Sequence, residues 1–75
     1  MNIINDSVIK TEYDAGGFDA LVRLFENDFR CEEDSWAPDV AGLLIDWHDP
    51  AINHEAIRNR VLEIIEKLYD PQRGL

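Results

Sequence analysis

The chain predicts an all-α fold: a small antiparallel three-helix bundle preceded by a short amino-terminal arm. Three observations lead there. Apolar residues recur at helical spacing in three separate stretches, glycine or proline divides those stretches, and the connections between them are short. The expected layout is one helical domain over residues 1–75, with an arm over 1–13 and helices over about 15–30, 36–48 and 54–69. Seventy-five residues, 45% of them apolar, are near the lower limit for a core that stands without disulfides or metals.

The opening stretch "MNIINDSVIKTEYD" has a weak apolar pattern in Ile3, Ile4, Val8, Ile9 and Tyr13. Its β-branched residues suit a strand, but one short strand finds no partner in the pattern. It therefore reads as an extended arm that packs its isoleucines on the helices. The first helix is announced by Phe18, Leu21, Val22, Phe25 and Phe29, spaced i, i+3, i+4, i+7 and i+11. Asp14, Gly16 or Gly17 would start it, and Asp19 would then sit in the first turn, where negative charge suits the helix dipole.

"SWAPDVAGLLIDWHD" repeats the logic. Ser35 is the expected N-cap, Pro38 fits a first turn, and Asp39 favours the helix dipole. The apolar stripe is Trp36, Val40, Leu43, Leu44 and Trp47. Gly42 interrupts it at a cost of about 1 kcal/mol relative to alanine, and close approach of another helix is the expected compensation. Pro50 ends the segment, because proline disfavours helix in the residue before it. In "INHEAIRNRVLEIIEKLYD" Asn53 caps, Ile52 and Ile57 hold the staple positions, and Ile57, Val61, Ile64, Ile65 and Leu68 form the buried stripe. Glu63 and Lys67 are spaced as an i,i+4 ion pair.

Charge narrows the function. The net charge is −9, and all of it falls in residues 1–50, where twelve acids face Lys10, Arg23 and Arg30; the rest balances. Direct binding to nucleic acid or an anionic membrane is excluded by repulsion, whereas a basic protein partner is favoured. A lone cysteine provides no disulfide framework, and the polar opening lacks the apolar core of a secretory signal. No apolar run reaches the roughly 20 residues of a membrane span. The expected location is the cytoplasm.

No catalytic or cofactor signature stands out. His48 and His54, with Asp46, Asp49 and Glu55, lack zinc spacing and flank a proline turn, so they read as capping and solvated loop residues. Glu32, Glu33 and Asp34 lack the alternation and central glycine of a calcium loop. A pairing of Cys31 with either histidine is opposed by the acidic neighbourhood, which disfavours a thiolate. No enzyme activity, metal or cofactor is expected. A helix-turn-helix reading fails because the middle helix carries no basic or amide side chains.

Protein recognition is left. Glu26, Asp28, Glu32, Glu33, Asp34 and Asp39 gather at the end of the first helix and after it, and only Arg30 opposes them. Such a surface steers a cationic partner and resembles a phosphate backbone in charge. Trp36 among them is either the aromatic anchor of that contact or the first core residue of its helix.

The last third, "LLIDWHDPAINHEAIRNRVLEIIEKL", resembles the colicin-like (bacteriocin) immunity proteins in its aspartate–aromatic–x–Asp–Pro turn and the "IR..V...I..L" helix after it. These are small acidic helical proteins that bind and block a nuclease toxin. The resemblance covers about 30 residues and does not reach the acidic loop, so no functional residue transfers. It implies a non-enzymatic inhibitor of a nucleic-acid-handling protein. Phage counter-defence proteins such as anti-CRISPR inhibitors and DNA mimics share this size and charge without a shared motif. The alternative is a small assembly module that self-associates through its helices, which surplus apolar surface at Trp47, Ile65 and Tyr69 would mark.

Overall fold

The computed structural model describes residues 2–26 and 29–69. It contains β1 (Asn2–Ile4), α1 (Asp6–Leu24), β2 (Phe29–Cys31), α2 (Ala37–Leu44) and α3 (His54–Tyr69). Three helices make up most of it, as expected, and a small two-stranded sheet is added to them. β1 and β2 form a parallel pair with Asn2 opposite Phe29, Ile3 opposite Arg30 and Ile4 opposite Cys31.

The expected arm over 1–13 is therefore replaced by a strand and the first turns of a helix. Asn5 caps α1: its side-chain oxygen accepts from Val8 N–H at 3.0 Å, and its carbonyl accepts from Ile9 N–H at 3.0 Å. Asp6 follows in the first turn, where its charge suits the dipole. The isoleucines do pack inward, and Ile4 and Ile9 are fully buried.

α1 starts well before residue 15 and ends at Leu24, and Phe29 leaves the helix for β2. The glycines expected to open the helix bend it instead. Gly17 has φ 69° and ψ −155°, outside helical geometry and in a region that L side chains rarely adopt. The kink redirects Phe18, Leu21 and Val22 towards the core.

α2 is shorter than its expected span of 36–48, and residues 45–48 form turns. Its start is tied twice. Ser35 Oγ accepts from Ala37 N–H at 3.1 Å and donates to the Glu32 carbonyl at 2.7 Å. Trp36 N–H donates to Asp6 Oδ1 at 2.8 Å, so an acid of α1 caps the first orphan donor of α2. α3 matches the expected span, and Asn53 Oδ1 accepts from Ala56 N–H at 3.1 Å.

These ties set helix direction. α1 and α2 begin together at Asp6 and Trp36, and the chain beyond each end meets again where His48 bonds Glu26. α3 runs against both: its first turns lie near Phe18 and Trp47, and its last turn lies near Lys10 and Trp36. The antiparallel order expected for the first two helices does not hold, because β2 returns the chain before α2 starts.

Ile4, Ile9, Leu21, Val40 and Val61 fill the centre, joined by Ala37, Leu44, Ile64, Ile65 and Leu68. Phe18 closes one end between the Trp47 ring at 4.9 Å and the Arg58 guanidinium at 5.1 Å. Among the described residues no helix is long and apolar enough to cross a membrane.

Two of the glycines within helices should respond with opposite signs. Gly17→Ala forces alanine into a strained backbone and should cost about 1–3 kcal/mol. Gly42→Ala meets nothing within 4 Å and should stabilise by up to about 1 kcal/mol. Urea unfolding of the two variants measures both.

Candidate functional site

The turn after β2 carries the candidate site. Glu32 N–H donates to the Ile4 carbonyl at 2.9 Å, which extends the sheet's hydrogen bonding by one residue and fixes where the turn begins. Ser35 N–H then returns to the Glu32 carbonyl at 3.3 Å. Glu32, Glu33 and Asp34 stand exposed between these bonds. Among the described residues their carboxylates form no ion pair. Asp39, one turn into α2, is exposed and likewise unpaired.

The expected cluster is thus partly assembled. Glu32, Glu33, Asp34, Trp36 and Asp39 share the region where β2 hands over to α2. Glu26 does not join them. It precedes the amino end of β2 and hydrogen-bonds His48, far along the chain path from a turn that follows the carboxyl end of the strand. Asp28 lies outside the described residues. Asp6 was absent from the expected set, yet its bond to Trp36 N–H brings a carboxylate to the same region. The sequence signal was Asn5-Asp6 ahead of apolar residues at helical spacing, a capping pattern masked by the β-branched neighbours.

Trp36 is half-buried at the start of α2. Its ring packs against the core and also carries the Lys67 ammonium at 5.0 Å from its centroid. Lys67 therefore does not make the expected pair with Glu63, which meets Arg60 at 3.5 Å instead. On one side of Trp36 lies a groove of about 270 Å³ between α2 and α3, open to solvent, with Asp39 and Gly42 on its α2 wall and Arg60, Glu63 and Lys67 on its α3 wall. Gly42 has nothing within 4 Å of where a Cβ would stand, so the close helix approach expected there is absent. Trp36 also borders a second open depression, lined by Asp6, Lys10 and Lys67.

The other candidate residues are engaged structurally. His54 Nε2–H donates to the Trp47 carbonyl at 2.8 Å, and its ring meets the indole edge-on at 4.7 Å. Cys31 is half-buried in β2, and burial pushes its thiol pKa up, which keeps it protonated and poorly nucleophilic at neutral pH. Tyr69 hydroxyl donates to Asp14 Oδ1 and to the Lys10 carbonyl at 3.4 Å, which ties the end of α3 to α1. That bond to the Asp14 carboxylate, then partial burial and the carboxylate's charge, push the Tyr69 pKa up to about 12.

No family model, curated protein or solved structure matches the chain.

Two measurements check these contacts. The protonated phenol of Tyr69 is favoured in the folded state, so its contribution to stability is complete below pH 10 and is lost as pH rises toward 12. Tyrosinate absorbance should show one late-titrating tyrosine in the folded protein, and Asp14→Asn should return it toward its ordinary value. Asp6→Ala leaves the Trp36 N–H without its acceptor and should cost about 1–2 kcal/mol in urea unfolding.

Proposed function

We propose that this chain is a non-enzymatic inhibitor that binds a basic, nucleic-acid-handling protein and occludes the site that normally takes phosphate. The observation that carries the reading is the exposed turn Glu32–Glu33–Asp34, unpaired among the described residues and held in shape by the Glu32 N–H bond to β1 and by the bonds from Ser35 to the Glu32 carbonyl. Three adjacent like charges repel one another, and a cationic partner relieves that repulsion while being drawn in by it. A turn fixed at both ends presents those charges with little ordering cost on binding. Trp36 beside it supplies an aromatic contact of the kind that concentrates binding energy. The partner classes in view are a toxin nuclease, bound as an immunity protein binds its toxin, and a defence nuclease complex, bound as an anti-CRISPR inhibitor or DNA mimic binds its target. The site comprises Glu32, Glu33, Asp34, Trp36 and Asp39, with Glu26 set apart.

The alternative, an assembly module that self-associates through its helices, loses most of its expected surface. Ile65 is buried in the core and Trp47 packs against Phe18 and His54, which leaves Tyr69 as the exposed member of the three.

The test is cleavage of DNA and RNA by a panel of purified basic nucleases, including toxin nuclease domains and CRISPR effector complexes, with and without this protein. Inhibition of at least one member is expected. It should weaken steeply with added salt, and the triple variant Glu32→Lys/Glu33→Lys/Asp34→Lys should lose it while keeping its helical circular dichroism. Inhibition that survives the triple reversal refutes this mapping of the site.

A further inference from the structure

We infer that the groove between α2 and α3 is a receptor for a single arginine side chain of the protein partner. The inference rests on the inhibitor reading above and goes further, because it assigns a specific contact to a specific cleft. Four observations converge on it. First, the groove of about 270 Å³ is open at the surface, and its Trp36 wall already holds a cation, the Lys67 ammonium at 5.0 Å from the ring centroid. The indole face is thus positioned to take positive charge, and a planar guanidinium stacks on such a face better than an ammonium does.

Second, Asp39 stands one helical turn beyond Trp36 on the same wall, and its carboxylate is exposed and unpaired among the described residues. Residues three apart on a helix are surface neighbours, so one guanidinium can lie on the ring and still reach the carboxylate with its forked N–H donors. Third, the cations of the opposite wall are both engaged: Arg60 meets Glu63 at 3.5 Å, and Lys67 lies on the indole, from which an incoming arginine must displace it. The unpaired acids of the neighbouring turn add to the negative field.

Fourth, Gly42 lines the groove inside a helix, where glycine is unfavourable, and no neighbour fills the space over it. Packing does not explain the residue. An unfilled cleft does, since any side chain at this position would project into the space the arginine takes.

The probe is acetyl-Gly-Arg-Gly-amide, followed by two-dimensional NMR of the isotope-labelled protein and compared with the lysine and glutamate analogues. The arginine peptide should give saturable shifts at the Trp36 indole N–H and at the Asp39 and Gly42 amides. The lysine peptide should bind several-fold more weakly, and the glutamate peptide should not bind there. Gly42→Leu fills the groove and should abolish the shifts; Asp39→Asn should weaken them several-fold; circular dichroism of both variants should match the parent. Shifts that persist in Gly42→Leu, that fail to saturate, or that favour glutamate overturn the assignment. The nuclease assay separates the two readings: inhibition lost in the triple charge reversal but intact in Gly42→Leu refutes the groove and leaves the inhibitor standing.

Discussion

The parallel pairing of residues 2–4 with residues 29–31 is the constraint from which the rest of the arrangement follows. Two parallel strands cannot be joined by a tight turn, so the intervening chain must cross over, and α1 is that crossover. Once β2 has carried the chain back to the end of the molecule where α1 began, α2 starts beside Asp6 and runs in the same direction as α1. α3 then fills the remaining side and runs against both. An up-and-down bundle of the same three helices would place the turn at residues 32–35 away from Asp6, and the backbone of Trp36 would lose its acceptor.

The same geometry shapes the electrostatics. Acids spread along half of the sequence do not form one surface. Glu26 is tied to His48, Asp14 to Tyr69 and Asp6 to a backbone donor, so each is occupied in holding elements together. Among the described residues the turn acids and Asp39 are not so occupied. The division separates charge that organises the fold from charge left over for an encounter. It also explains why net charge alone overstated the size of the candidate surface.

Much of the helical core was legible from spacing. Val61, Ile64, Ile65 and Leu68 are buried where a 3.6-residue period put them, and the α3 boundaries agree because Asn53 is an unambiguous cap. The first thirty residues were not legible in this way. Ile3, Ile4, Val8 and Ile9 read as β-branched throughout, although the strand stops at Ile4 and the helix takes over from Asp6. Phe29 falls in helical phase with Phe18 and Phe25, yet its contact with Phe25 is made from a strand, edge-to-face at 5.1 Å. Phase agreement cannot distinguish a continued helix from a chain that turns back onto the same face. Strand pairing between distant residues leaves no local signature at all. At the site, the acids were visible as letters, but which of them were free was decided by partners remote in sequence.

Ile4 gives the sheet a second role. Three residues per strand are too few to hold together in water, so the pairing depends on core packing, to which the fully buried Ile4 contributes roughly 1.5–3 kcal/mol beside Phe29 and Cys31 of β2. Its carbonyl meanwhile receives Glu32 N–H, at the first residue of the acidic turn. One residue therefore connects the hydrophobic interior to the most polar part of the surface. Loosened packing around Ile4 would be transmitted as slack in the turn, with no surface residue altered. On the proposed function, the capacity to engage a partner would then decline before the helices themselves came apart, and the interior would bear on recognition as well as on stability.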